Sequence, residues 1–207
     1  MQTITIKNKI SKDIIIKGLY NNDKECLEDA VMNNINLENT DLRHKNFQCA
    51  NIDTAQLKGA DLRYCNLNYA NISESNLAGA DLRGTSLVGT CIAETNLTNA
   101  TMQDACFGAT DIGYAILDGC HFSTLSALHL PFTGTKSMQH CVFHSIHGEE
   151  YSFSAPPIVI QGLFQECLYF IEKNTLIGHL ALPLSIQDIL NNQDFILSVL
   201  ARRAHKI

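Results

Sequence analysis

Between positions 120 and 147, Cys120, His121, His140, Cys141, His144 and His147 are among the side chains that carry metal-binding atoms. Zinc takes thiolates and imidazole nitrogens in sets of three or four at short, fixed spacings. The spacing here matches none of those patterns, so these residues read as ordinary loop histidines and small thiols. No metal and no cofactor are expected. The chain also lacks a GxSxG elbow, a Walker loop, a GxGxxG after a strand and an HExxH pair. No catalytic residue can be named, and the chain is read as not an enzyme.

The remaining chemistry is charge, laid out at a fixed interval. Asp41, Asp61 and Asp81 stand twenty residues apart, and so do Arg43, Arg63 and Arg83. An Asp column beside an Arg column has two readings: a self-neutralised solvated face, or a phosphate-binding Arg row. The Asp column opposes nucleic acid, and there is no basic stripe, so direct nucleic-acid binding is not expected. A second group of acids, Asp53, Glu74, Glu94 and Asp111, falls on one side of the same twenty-residue frame. It reads either as a solubilising surface or as a partner-binding one. The formal net charge is -6, and residues 35–124 carry most of the excess, ten acids against five Lys or Arg.

These charges are positioned by a stricter pattern. Every fifth residue from Leu37 to Phe122 is large and apolar, eighteen in succession, including Leu62, Leu67, Leu82 and Leu87. Two residues before most of them is a small one, such as Ala50, Ala55, Ala60, Cys65, Ala70, Ser75, Ala80 and Thr85. A period of five fits neither a helix nor a strand. Kept this long, it specifies a repeat architecture in which each unit stacks on copies of itself. The second period of twenty, seen in the Asp and Arg columns and in Gly59, Gly79 and Gly119, implies four sides to each coil.

The units Ala60-Asp61-Leu62-Arg63-Tyr64, Ala70-Asn71-Ile72-Ser73-Glu74 and Ala80-Asp81-Leu82-Arg83-Gly84 resemble the A-[DN]-L-x-x unit of the pentapeptide repeat proteins. The resemblance implies an all-β fold, a right-handed quadrilateral β-helix, over residues 35–124. Some members of that family bind DNA gyrase through an elongated acidic surface. The implied function is thus a non-enzymatic protein-interaction module, an acidic DNA mimic that binds gyrase or another DNA-handling enzyme. The alternatives are a phage or mobile-element protein that inhibits a host defence or other host factor, and a self-associating structural scaffold. Residues 35–124 make four and a half coils, about 22 Å at strand spacing. Four acids over that length are sparse beside one charge per ~1.7 Å of duplex DNA. A dimer joined at its C-terminal ends would double the rod.

The flanks read as caps. Residues 1–34 form an N-terminal unit: strands at Thr3–Lys7 and Ile14–Lys17 in a hairpin, then a helix capped by Asn22 and Glu25 that runs to about Met32. Its apolar face is Cys26, Leu27, Ala30 and Val31. Lys45 and Ile35 occupy slots that are small elsewhere, so the first coil is expected to be distorted, with the Lys45 head reaching solvent. Residues 125–148 lose the register and read as an irregular transition with one imperfect turn. Residues 149–207 form a C-terminal α+β segment with strands near 158–160, 168–171 and 176–177. Helices open there at Ser185 and Asn192. The stripe Phe195, Ile196, Val199 and Leu200 is expected either to cap the solenoid or to make a homodimer, the favoured reading. Eight cysteines without a CxxC pair, no signal peptide and no apolar run near ~20 residues lead to a cytoplasmic chain with reduced thiols and no membrane association.

Overall fold

The computed structural model describes residues 1–132, 134–145, 148–153, 158–163, 165–170 and 175–178. From Leu37 onward the chain winds in coils of twenty residues, each made of four five-residue sides. On every side one residue forms a parallel bridge to the residue twenty positions on. Asp41 pairs with Asp61, Asn46 with Asn66, Asn51 with Asn71 and Gln56 with Asn76, and the same four ladders continue upward. The first side is centred on Leu42, Leu62, Leu82, Met102 and Phe122, and the second on Phe47, Leu67, Leu87 and Phe107. The third is centred on Ile52, Ile72, Ile92 and Ile112, and the fourth on Leu57, Leu77, Leu97 and Leu117.

Backbone hydrogen bonding explains the period. The central N–H of a unit donates upward, as Leu62 N does to Asp81 O at 2.8 Å, and the preceding N–H donates downward, as Asp61 N does to Thr40 O at 2.9 Å. The corner then closes on itself: Ala60 N donates to Leu57 O at 2.9 Å across Gly59, whose φ is +64°. A positive φ at the third residue is the mark of a type II turn. Five residues therefore give one side and one corner, and four corners bring the chain back over its start.

All eighteen repeat centres are buried. Each contributes about 1.5–3 kcal/mol by leaving water. The small slots beside them are buried too, and their polar members are all bonded. Thr85, Thr90, Thr95 and Thr110 each donate their hydroxyl to the carbonyl of a central residue one coil below, at 2.7–2.9 Å. Cys65 and Cys120 donate S–H to Leu42 O and Leu97 O in the same way. A three-atom side chain thus fills the slot and satisfies itself, so the slot accepts Ala, Ser, Thr or Cys.

At the N-terminal end β1 (Gln2–Asn8) and β2 (Ile14–Tyr20) form an antiparallel hairpin, followed by α1 (Asp23–Met32). The Asn22 side chain caps α1 by accepting from Glu25 N at 2.8 Å. Strand β1 also pairs with β3 (Thr40–Asp41), which covers the open edge of the first side. Helix α1 covers others: Cys26, Leu27 and Ala30 are buried, and Glu28 Oε1 accepts from Asn51 N at 2.8 Å. That N–H has no lower coil to donate to, and the carboxylate takes the place of the absent carbonyl. The expectation for Lys45 is corrected here. Its head is not given up to solvent but is half-buried and bonded to Asp23 of α1 at 2.5 Å.

Above Leu117 the register shifts by one residue, yet the winding continues. Ile116 bridges Ser137, twenty-one residues on, and Leu117 N donates to Ser137 O. This upper coil is centred on Ala127, Phe132, Met138 and Phe143, all buried. Its first-side ladder is β4 (Thr101–Met102), β5 (His121–Ser123) and β6 (Cys141–His144), all parallel. The short helix α2 (Thr124–Ala127) follows β5, and β7 (Glu150–Phe153) adds antiparallel to β6. Phe122, Phe132 and Phe143 fill the top with ring centroids 5.3–6.0 Å apart. Farther on, β8 (Ile158–Leu163), β9 (Gln165–Phe170) and β10 (Thr175–Gly178) form an antiparallel meander. The stripe Phe195, Ile196, Val199 and Leu200, and the helix starts at Ser185 and Asn192, lie outside the described residues.

Candidate interaction surfaces

The residues on either side of each buried centre point outward, and the coil spacing stacks them into columns. On the first side the Asp and Arg columns form one continuous zipper. Arg43, Arg63 and Arg83 each bind the carboxylate two residues earlier through Nε and Nη2, at 2.7–2.9 Å. Arg43 and Arg63 then reach the Asp of the next coil as well, at 3.6 and 3.5 Å. Asp61 ends almost buried beneath two guanidiniums. The Arg43 hydrogen bonds hold the Asp41 carboxyl below its usual range. For Asp81 burial pushes the other way, but Arg83 and Arg63 more than offset it, and its pKa is lowered. This zipper neutralises itself and leaves no row of free guanidiniums for phosphate. The Arg83 end opens on a groove of about 370 Å³ lined by Arg63, Tyr64, Gln103, Asp104 and His144 among others.

The acids of the third side are arranged differently. Glu74 and Glu94 stand one above the other at the corner, both exposed, each with φ of +57°. Their column begins with Thr54 and ends with Tyr114. Asp53 lies one position before the corner and one coil below Glu74. Asp111 lies on the opposite edge of the side, where its Oδ1 accepts from Gly113 N at 2.9 Å. The four acids thus share a side without forming a single column. None of them makes an ion pair among the described residues, in contrast to Asp41, Asp61 and Asp81. A groove of about 390 Å³ above Glu94 is lined by Tyr114, Ile116 and Lys136.

Two surface contacts, the second of them between two histidines already named, were not foreseen from the sequence. Tyr64 and Tyr69 are about 60% exposed, at the two corners that bound the second side. Each ring lies flat over a glycine of the next coil: a Cβ built on Gly84 or Gly89 would sit 2.6 Å from Cδ1 of the ring. Tyr64 also stacks on His44 below it, at 5.1 Å between centroids. A signal was available, since a Tyr at the corner position is followed twenty residues later by Gly three times, although the third pair, Tyr114 and Gly134, makes no such contact. The second feature is a contact between His121 and His144 on β5 and β6. Of the other metal-capable residues, Cys120 and Cys141 face the core, where burial pushes the Cys141 thiol up to about 12 and that of Cys120 well above its ordinary value. His140 is exposed and His147 lies outside the described residues. Among the described residues no three such groups come together.

The described residues thus form a repeat solenoid with charged and aromatic ladders along its sides. The family model for pentapeptide repeats matches it in eight copies, over residues 26–63, 55–92 and 65–104. The solenoid is a pentapeptide-repeat solenoid. Solved structures of that kind are similar to it. One is HetL, a pentapeptide repeat protein involved in heterocyst differentiation regulation from the cyanobacterium Nostoc sp. strain PCC 7120. It is 25% identical over 50% of this chain and 45% of its own, with a TM-score of 0.46. Another is a pentapeptide repeat protein from the Arabidopsis thaliana thylakoid lumen, 28% identical over 37% of this chain and 57% of its own, with a TM-score of 0.34. A third is QnrB1, a plasmid-mediated fluoroquinolone resistance protein, 20% identical over 42% of this chain and 54% of its own, with a TM-score of 0.24. The chain spans about half the length of these neighbours. No curated protein matches it. No helix among the described residues is long and apolar enough to cross a membrane.

Proposed function

We propose that this chain is a non-enzymatic protein-interaction module whose third side, carrying Asp53, Glu74, Glu94 and Asp111, binds a DNA-handling enzyme in place of DNA, with gyrase the first candidate. One observation supports this side over the first: its acids make no ion pair among the described residues, whereas the Asp–Arg zipper cancels its own charge. Unpaired carboxylates on a rigid ladder keep their field and attract a basic DNA-binding groove. The right hand of the helix, the cytoplasmic location and a homodimer through Phe195, Ile196, Val199 and Leu200 belong to the same proposal. Dimerisation would double the acidic rod toward the length of a DNA segment.

The test is a supercoiling and binding assay with purified gyrase and the full chain. The chain should bind with an affinity that falls as salt rises, and should compete with duplex DNA. The triple variant Asp53→Lys, Glu74→Lys, Glu94→Lys should fold normally, bind at least tenfold more weakly and lose most of the salt dependence. Equal binding by the triple variant would assign these acids to solubility, and no binding by the natural chain would remove gyrase as the partner.

A further inference from the structure

The proposed interaction reading makes no use of the two histidines that meet at the top of the first side. His121 Nδ1 lies 2.9 Å from His144 Nε2. The ring planes are 22° apart and the centroids 5.2 Å apart. That separation is the nitrogen contact plus one ring radius at each end. The two nitrogens therefore lie on the line joining the rings and face each other head-on. This is the geometry of an N–H···N hydrogen bond, whereas metal ligands converge on a third point.

Such a bond needs one donor and one acceptor. Two neutral imidazoles supply them, and so do one charged and one neutral ring. Two imidazolium rings offer two donors, no acceptor and like charges in contact. The contact thus tolerates one added proton and is broken by a second.

The surroundings set where this happens. On β7, Glu150 faces His144 Nδ1 at 3.4 Å and favours the first proton. Its neighbour Glu149 is bonded instead by the Tyr151 hydroxyl. The groove that His144 lines also carries Arg63, Arg83 and Asp104, whose Oδ1 already accepts from Ser123 Oγ at 2.8 Å. Helix α2 brings no titratable side chain. Burial holds the His144 pKa below its ordinary value; Glu150 offsets part of that and His121 adds to it.

The bond ties the last coils to each other. His121 belongs to β5 and His144 to β6, and in the β6–β7 register His144 is paired with Glu150. We propose that His121 and His144 form a pH-sensitive latch that holds β6 and β7 on the end of the solenoid at neutral pH and releases them when the pair takes a second proton. The sign follows from the lowered His144 pKa. The opened junction binds a proton more readily than the closed one, so closure is complete above about pH 6.5, the ordinary His value. Closure is lost as pH falls from there toward the closed-state pKa. One proton taken up on opening costs up to about tenfold in the closing equilibrium per pH unit.

Hydrogen exchange on the full chain between pH 7.5 and 5.0, corrected for intrinsic rates, tests this. Protection of the amides in Cys141–His144 and Glu150–Phe153 should fall by up to about tenfold per unit below pH 6.5, while that of Leu62 and Leu82 stays constant. In His144→Gln, which keeps a neutral polar group and cannot titrate, the profile should be flat. A flat profile in the natural chain, or an equal slope in the variant, overturns the latch. NMR titration of the imidazole protons of the natural chain reads the same coupling without a variant. The His144 ring should titrate below its ordinary value, and a His144 that titrates at the ordinary value overturns the proposal.

Discussion

Gly79 and Gly84 offer a controlled comparison of two costs that are usually entangled. Both sit at corners with φ of +66°. A Cβ on Gly79 would meet nothing within 4 Å, whereas one on Gly84 would lie 2.6 Å from Cδ1 and Cε1 of Tyr64. Replacing either by Ala incurs the left-handed backbone penalty, about 1 kcal/mol. Gly84→Ala must in addition push Tyr64 off its seat and off His44, for about 0.5–1.5 kcal/mol of lost ring contact. The expected losses are therefore about 1 kcal/mol for Gly79→Ala and about 1.5–2.5 kcal/mol for Gly84→Ala. The excess should vanish in the background of Tyr64→Ala, so a double-mutant cycle between positions 64 and 84 should return a coupling of about 0.5–1.5 kcal/mol. Urea unfolding at 25 °C, followed by circular dichroism, measures all four proteins. Equal losses at 79 and 84, or a cycle that closes to zero, would refute the claim that the ring is seated on the glycine.

Leu82→Ala, at a fully buried centre in the middle of the stack, should cost about 2–5 kcal/mol by the same assay, and Leu82→Asp should prevent folding. Cys49 and Cys106 are exposed and should be alkylated within minutes at pH 8. Cys65, held up to about 12, and Cys120 and Cys141 should react only on unfolding, as mass spectrometry of the labelled peptides would show. Lys45→Met should destabilise the junction of α1 with the first coil by about 1–3 kcal/mol, because it leaves Asp23 half-buried without its cation. The joint replacement of Asp23 by Asn should recover part of the loss.

The coils were legible because each rule they obey is local and repeated. A large residue every fifth position, a small one two before it and a tolerated corner residue describe one side, and the second period counts the sides. Where the rule was broken once, the sequence misled in a physical way. The six-residue step from Phe132 to Met138 reads as loss of register, yet one added residue at a corner leaves the upward and downward backbone bonds in place, and the coil re-forms with Phe143 over Phe122. Lys45 misled for the opposite reason. Its partner Asp23 lies twenty-two residues earlier on a helix, and no spacing rule links the two elements.

The surfaces divide along the same line. The Asp–Arg zipper could be foreseen, since both columns obey the twenty-residue period and opposite charges at strand spacing must pair. What the sequence left open was whether any charge survived that pairing. The structure separates the two acidic groups on this point: Asp41, Asp61 and Asp81 are each bound by at least one guanidinium, and Asp53, Glu74, Glu94 and Asp111 make no ion pair among the described residues. A coil whose charges were merely solubilising would gain nothing from segregating them, because interspersed signs keep a surface soluble equally well. Under the proposed function, segregation on a rigid ladder creates a directional field that would serve a partner that must find one side of the rod. That argument predicts a definite pattern under charge reversal. Asp81→Lys should damage stability through Arg63 and Arg83 and leave partner affinity largely intact once refolded. Glu74→Lys should leave stability within about 0.5 kcal/mol and weaken binding. Melting curves and affinities measured on both variants check the two halves together, and a Glu74→Lys protein that binds as well as the natural chain would return the third side to a solvent-facing role.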